Sequence, residues 1–269
     1  MFLLAPFFVM GQDLDTTNTA KPRWELSARW MNYRSFSQQK LDIPMKGGYP
    51  ILQSRTLALE AGYTLVKGKV QHTFRINAGL PASLQADAGT GSNRLLEERG
   101  NTHFRSGMNH QLTFPLFQWK GLNGRHGFSS GLLYERRSLV YLSGSQETTR
   151  DINFYLGPSL KLRYALSSSW KIKAGFDAHF YLPYLNYGQL TARNSRDEIA
   201  FSSDYRGFYY QTIFRLGVSS GILTPNPIEL GVLKNDMVGF ASRKPSFEAT
   251  DIVHFKLDRL LHFYLKYRF

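Results

Sequence analysis

The chain has 269 residues, with 33 Lys+Arg against 20 Asp+Glu, a net charge of +13 and no cysteine. That excludes disulfides and thiolate chemistry, and the absence of any K/R-rich run argues against nucleic acid as a partner. No apolar run approaches the ~18 residues of a spanning helix, but 42% apolar and 14% aromatic residues at a mean hydropathy of −0.31 suit strands that alternate and average out to polar.

Residues 2–10 (FLLAPFFVM) form an apolar run of signal-peptide length that ends at Gly11, although the usual basic n-region is missing. Residues 1–11 therefore read as a signal-peptide remnant and the polar stretch 12–21 as a flexible leader. From Pro22 onward apolar residues recur at every second position, the period of a two-faced strand, so 22–269 reads as one β domain.

The first segment sets Trp24, Leu26, Ala28 and Trp30 against Glu25, Ser27 and Arg29. The second sets Leu57, Leu59, Ala61, Tyr63 and Leu65 against a face that carries Glu60, and the third sets Phe74, Ile76 and Ala78 against Gln71, Thr73 and Arg75. Lys67-Gly68 reads as the tight hairpin between them, which would put Glu60 opposite Arg75. Segments near 102–116 and 126–142 flank Asn123-Gly124, the strongest hairpin dipeptide in the chain. Ile152 to Leu166, Trp170 to Leu182 and Phe208 to Val218 alternate cleanly, whereas 228–240 is the weakest pattern.

The final segment, 253–269, stops on an aromatic. Counting back in twos from Phe269 gives Tyr267, Leu265, Phe263 and Leu261. A C-terminal strand of this kind resembles the assembly signal of Gram-negative outer-membrane β-barrels. The resemblance implies an all-β closed antiparallel transmembrane barrel of about ten strands (eight or twelve being the neighbouring options), delivered by the Sec route to the bacterial outer membrane. It also implies two partners, the outer-membrane assembly machinery and outer-membrane lipid including lipopolysaccharide. The loops fit such a barrel: links near 66–69, 115–125, 167–169 and 221–227 are mostly short, and the others are mostly long and polar. Arg259 falls on the apolar face about ten residues from the chain end. That is roughly 25 Å up a tilted strand, at the outer headgroup level.

The inward face is charged. Lys161, Arg163, Lys171, Lys173, Arg215, Lys266 and Arg268 form a basic collar toward the periplasmic half of the lumen, suited to anionic solutes. The alternative is a lumen filled with ion pairs, for which Glu25, Glu60, Glu135, Asp177 and Asp258 supply the acids. Asp177 and His179 share that face, and an Asp-x-His pair resembles the omptin-type outer-membrane proteases, although only those two residues match. Ser106 and His110 point outward on one strand, as a lipid-facing hydrolase would need, without a family motif around them. The remaining histidines lack metal-ligand spacing, and no cofactor is implied. The leading expectation is a non-enzymatic barrel, either a narrow channel or a closed barrel that presents loops. The alternative is a barrel hydrolase acting on lipid or peptide.

Overall fold

The computed structural model describes residues 19–39, 51–86, 97, 100–221, 227–242 and 252–269. The signal-peptide reading lies outside them, and the first strand begins at Thr19, inside the expected leader. In chain order the strands are β1 (Thr19–Gln39), β2 (Ile51–Lys67), β3 (Val70–Gly79), β4 (Ala82–Ser83), β5 (Gln85–Ala86), β6 (Thr102–Trp119) and β7 (Leu122–Val140). They continue as β8 (Gln146–Ala165), β9 (Trp170–Tyr181), β10 (Tyr187–Arg193), β11 (Ile199–Ser220), β12 (Ile228–Ser242) and β13 (Ile252–Arg268).

All pairings are antiparallel, and β1 pairs with both β2 and β13, so the sheet closes. β4 and β5 prolong the β3 stave, and β10 follows β9 between β8 and β11, which leaves ten staves. One row of partners runs Trp24, Tyr63, Phe74, His110, Ser130, Leu156, Phe180, Tyr210, Val238, Leu257, Phe36. It returns to β1 twelve residues beyond its start. A slip of that size over ten staves tilts the strands by about 40° from the axis. The 228–240 segment, whose alternation fades in the sequence, is a full stave.

Two hairpins differ from expectation. Lys67 pairs with Val70, so the turn is Gly68-Lys69 and Glu60 faces Asn77, while Arg75 faces Gly62. Gly68 at φ 57° supplies the left-handed residue that such a tight turn needs. The next tight turn is Lys120-Gly121, with φ of 39° and 83°, and Trp119 pairs with Leu122 across it. A type I′ turn needs positive φ at both central residues. Asn123-Gly124 lies instead inside β7, where a Cβ on Gly124 would come 2.6 Å from the Phe117 ring.

The outward face is apolar around the whole circuit. Trp30, Leu59, Ile76, Met108, Phe128, Leu156, Phe180, Phe214, Leu230 and Phe263 are all exposed. A girdle of Trp24, Trp119, Tyr164 and Trp170 rings the turn side, and Tyr134, Ile152, Tyr187 and Tyr210 ring the loop side roughly 25 Å higher. So large a continuous apolar belt, with aromatic rims, is a surface built for hydrocarbon.

Candidate functional site: a filled lumen

Because the outward residues face lipid, whatever chemistry the barrel has inside comes from the alternate set. Those side chains fall into three storeys.

The turn-side storey is the expected collar, now with its counter-ions. Glu25 lies 3.0 Å from Arg75, 3.7 Å from Lys266 and 3.4 Å from Arg268. Glu229 lies 2.5 Å from Lys173 and 3.3 Å from Arg268, and accepts a bond from the Tyr264 hydroxyl at 3.0 Å. Glu60 binds Arg29 and lies 3.8 Å from Arg75, so the anticipated Glu60–Arg75 pair forms on the diagonal rather than face to face. Gly62 leaves room for the Glu25 side chain, because a Cβ there would come 2.5 Å from it. Arg215 reaches Asp177 at 2.7 Å. Lys161 and Lys171 are half-buried on the inward face of β8 and β9, and Arg163 is exposed near the rim.

The middle storey is a septum. Tyr33, Leu133, Tyr181, Tyr209, Met237 and Leu260 project inward from six staves at one height, each no more than 6% exposed. Just below them a 90 Å³ cavity is bounded by Asn109, Tyr155, His179, Gln211 and Asn235 among others, room enough for a few waters on polar partners. His179 sits here rather than at a mouth, with Nδ1 3.0 Å from Gln211 Oε1 and Nε2 3.1 Å from Ser129 Oγ. Asp177 takes a bond from Gln111 Nε2 at 2.8 Å. Both members of the Asp-x-His pair are therefore spent on neighbours.

Above the septum is a buried charge cluster. Lys256 is fully buried and lies 2.7 Å from Glu135, 3.1 Å from Asp258 and 3.9 Å from Asp151. The Tyr33 hydroxyl donates to Glu135 at 3.2 Å and to Asp258 at 3.1 Å, Ser35 donates to Asp258 at 2.6 Å, and Tyr205 donates to Asp151 at 2.5 Å. Arg137 Nε lies 3.8 Å from Glu135. His103 stacks on Tyr33, with Nε2 3.3 Å from Glu135 and Nδ1 3.5 Å from Ser54 Oγ. Charges this deep persist only when paired. Sequence reasoning singled out Glu135 and Asp258 but missed Lys256, Arg137 and Asp151. Counting back in twos from Arg268 would have placed Lys256 inside.

Outside the barrel, His110 and His72 face lipid, with ring nitrogens 3.3 Å apart. Among the described residues no cluster of three or more potential ligands could hold a metal ion.

A closed ten-stave barrel with a hydrocarbon-facing belt and a filled interior defines a transmembrane β-barrel protein of the outer-membrane type. Among solved structures the chain is similar to the outer membrane protease OmpT of Escherichia coli, at a TM-score of 0.61 and 10% identity over 96% of this chain and 99% of that one. It also resembles, at lower scores, a major outer membrane protein of Thermus thermophilus (0.45, 10% identity, 93% and 100% covered) and the toluene transporter TodX of Pseudomonas putida (0.40, 7%, 92% and 89%). No family model matches, and no curated protein matches in sequence. At such identities the likeness is one of fold.

Proposed function

We propose that this protein is a closed, non-conducting outer-membrane barrel that works through its loop side. The septum supports that reading: among the described residues, six large buried side chains stand at one height across the lumen, with a cluster of paired buried charges above them. A channel would need a lumen whose polar groups face water, whereas here they face one another. The sheet of β8, β10 and β11 extends past the loop-side girdle and offers a rigid platform for binding. In planar bilayers the purified barrel should give no current steps at either polarity. Shortening Tyr181, Tyr209 and Met237 to alanine should open a conducting state. Regular unitary conductance from the unmodified protein would overturn the reading.

A barrel hydrolase is the second reading, supported by one juxtaposition. Ser54, His103 and Glu135 stand in the order nucleophile, base and acid, with contacts of 3.5 and 3.3 Å. Covalent labelling by a fluorophosphonate, abolished by Ser54→Ala, would favour it over the closed barrel. An unlabelled, folded protein would remove it.

A further inference from the structure

The cavity beneath the septum holds two groups that neither the collar nor the upper charge cluster accounts for. Among the described residues its wall carries four guanidiniums, those of Arg29, Arg75, Arg105 and Arg215, and one carboxylate, Glu60. Three of the four are held by acids. Arg29 binds Glu60, Arg75 lies 3.0 Å from Glu25 and 3.8 Å from Glu60, and Arg215 lies 2.7 Å from Asp177. Arg105 is the exception. It is buried, and its Nη1 has no hydrogen-bond partner among the described residues. Glu135 is its register partner across β6 and β7, but that carboxylate accepts from Lys256 and from the Tyr33 hydroxyl.

His262 is the second group. Alternation along β13 turns it inward, where it is 5% exposed, and neither ring nitrogen has a partner among the described residues. The register explains why. Its neighbours across β1 and β12 are Met31 and Leu233, both buried and neither with a side-chain oxygen to accept a proton. The charged groups that act on its ring are the guanidiniums of Arg29, Arg105 and Arg215. His262 and Arg105 line the same cavity.

A buried guanidinium without an acid and an imidazole N–H without an acceptor both lose hydration with nothing in return. Water in the cavity can accept from the imidazole, but it leaves the guanidinium charge unopposed. An anion answers both needs. A guanidinium presents parallel N–H groups that match two oxygens at once, so an oxyanion suits it better than a spherical halide. A 90 Å³ cavity that has room for a few waters has room for one small oxyanion in their place. Leu133, Tyr181 and Leu260 of the septum form part of the wall, which leaves the turn side as the way in.

We propose that this cavity is a binding site for a small inorganic oxyanion of the phosphate or sulfate class, held between Arg105 and His262. It is separate from the basic collar, where Lys173, Lys266 and Arg268 already hold Glu25 and Glu229. The inference concerns the turn-side half of the lumen and is independent of what the loop side binds.

The test uses the intact barrel folded in detergent in a buffer free of phosphate and sulfate, with folding verified by heat-modifiable migration. Inorganic phosphate is titrated at low millimolar concentration and matched ionic strength, so that general salting effects stay constant. Binding is read by phosphorus NMR of the ligand and by the urea midpoint, which rises with any ligand selective for the folded state. Saturable binding is expected, with sulfate competing and chloride at equal concentration not. Arg105→Gln and His262→Phe should each weaken it tenfold or more, whereas Lys67→Gln, which removes an exposed cation at the turn side, should change it less than twofold. If neither lumen variant folds, the NMR titration of the unmodified barrel, with sulfate and chloride as competitors, decides alone. Absence of saturable phosphate binding, or an equal loss in Lys67→Gln, would overturn the proposal. Chloride competing as well as sulfate would overturn the assignment to oxyanions.

Discussion

Replacing Lys256 with methionine removes an ammonium that touches three buried carboxylates, at 2.7, 3.1 and 3.9 Å. At an effective dielectric of ~20 the attraction to Glu135 alone is about 6 kcal/mol in gross terms. The cost of desolvating the ammonium, several kcal/mol, offsets much of that, so the net loss expected for breaking a buried ion pair is roughly 3–5 kcal/mol. Around the ammonium stand the carboxylates of Glu135, Asp151 and Asp258 and the guanidinium of Arg137, all of them buried. Lys256→Met removes one positive charge from this group, and a second change, Glu135→Gln, removes a matching negative one. Urea unfolding in detergent or vesicles, followed by tryptophan fluorescence with band-shift as a second probe, should show Lys256→Met losing roughly 3–5 kcal/mol, with the double variant recovering at least half of it. A loss under about 1 kcal/mol would mean that water or another cation already neutralises the cluster, and the account of a sealed loop-side storey would fail.

Three further outcomes follow from the same geometry. Gly157→Ala would drive a Cβ into the Ala178 carbonyl oxygen and should cost at least ~1–3 kcal/mol or block folding, whereas Gly221→Ala, with nothing within 4 Å, should be neutral in the same unfolding assay. Phe263→Arg, on the lipid face near the middle of the belt, should cost roughly 2–4 kcal/mol, and Phe240→Arg near the outer rim roughly 0–1, as read by unfolding in vesicles. Glu229→Gln deprives Lys173 and Arg268 of their shared carboxylate; because that collar is partly open, the expected loss is smaller than for Lys256→Met, about 1–2 kcal/mol by the same unfolding measurement.

What local pattern encodes, the chain displays openly. Alternation along each stave separates a face for lipid from a face for the interior, and Tyr267, Leu265, Phe263 and Leu261 lie outward as counting in twos predicts. Arg259 is outward as well, at the height a simple rise-per-residue estimate assigns it. The turns were less legible. Which of two glycine-containing dipeptides closes the β6–β7 hairpin depends on the register of the flanking strands, and the Lys120-Gly121 turn outcompetes Asn123-Gly124 only in the paired sheet.

The inward set was identified by type and side, but its meaning was not. Whether Lys266, Arg268, Lys173 and Arg215 line a pore or lock together depends on which carboxylates reach them across the barrel. Those partners are remote in the chain: Tyr33 binds Asp258 from 225 residues away, Lys256 binds Glu135 from 121, and Arg268 binds Glu25 from 243. A strand's own alternation says which way a side chain points. Closing ten tilted staves at a slip of twelve residues decides what it meets there, and only that closure set the basic inward face against the carboxylates that tie it together in ion pairs.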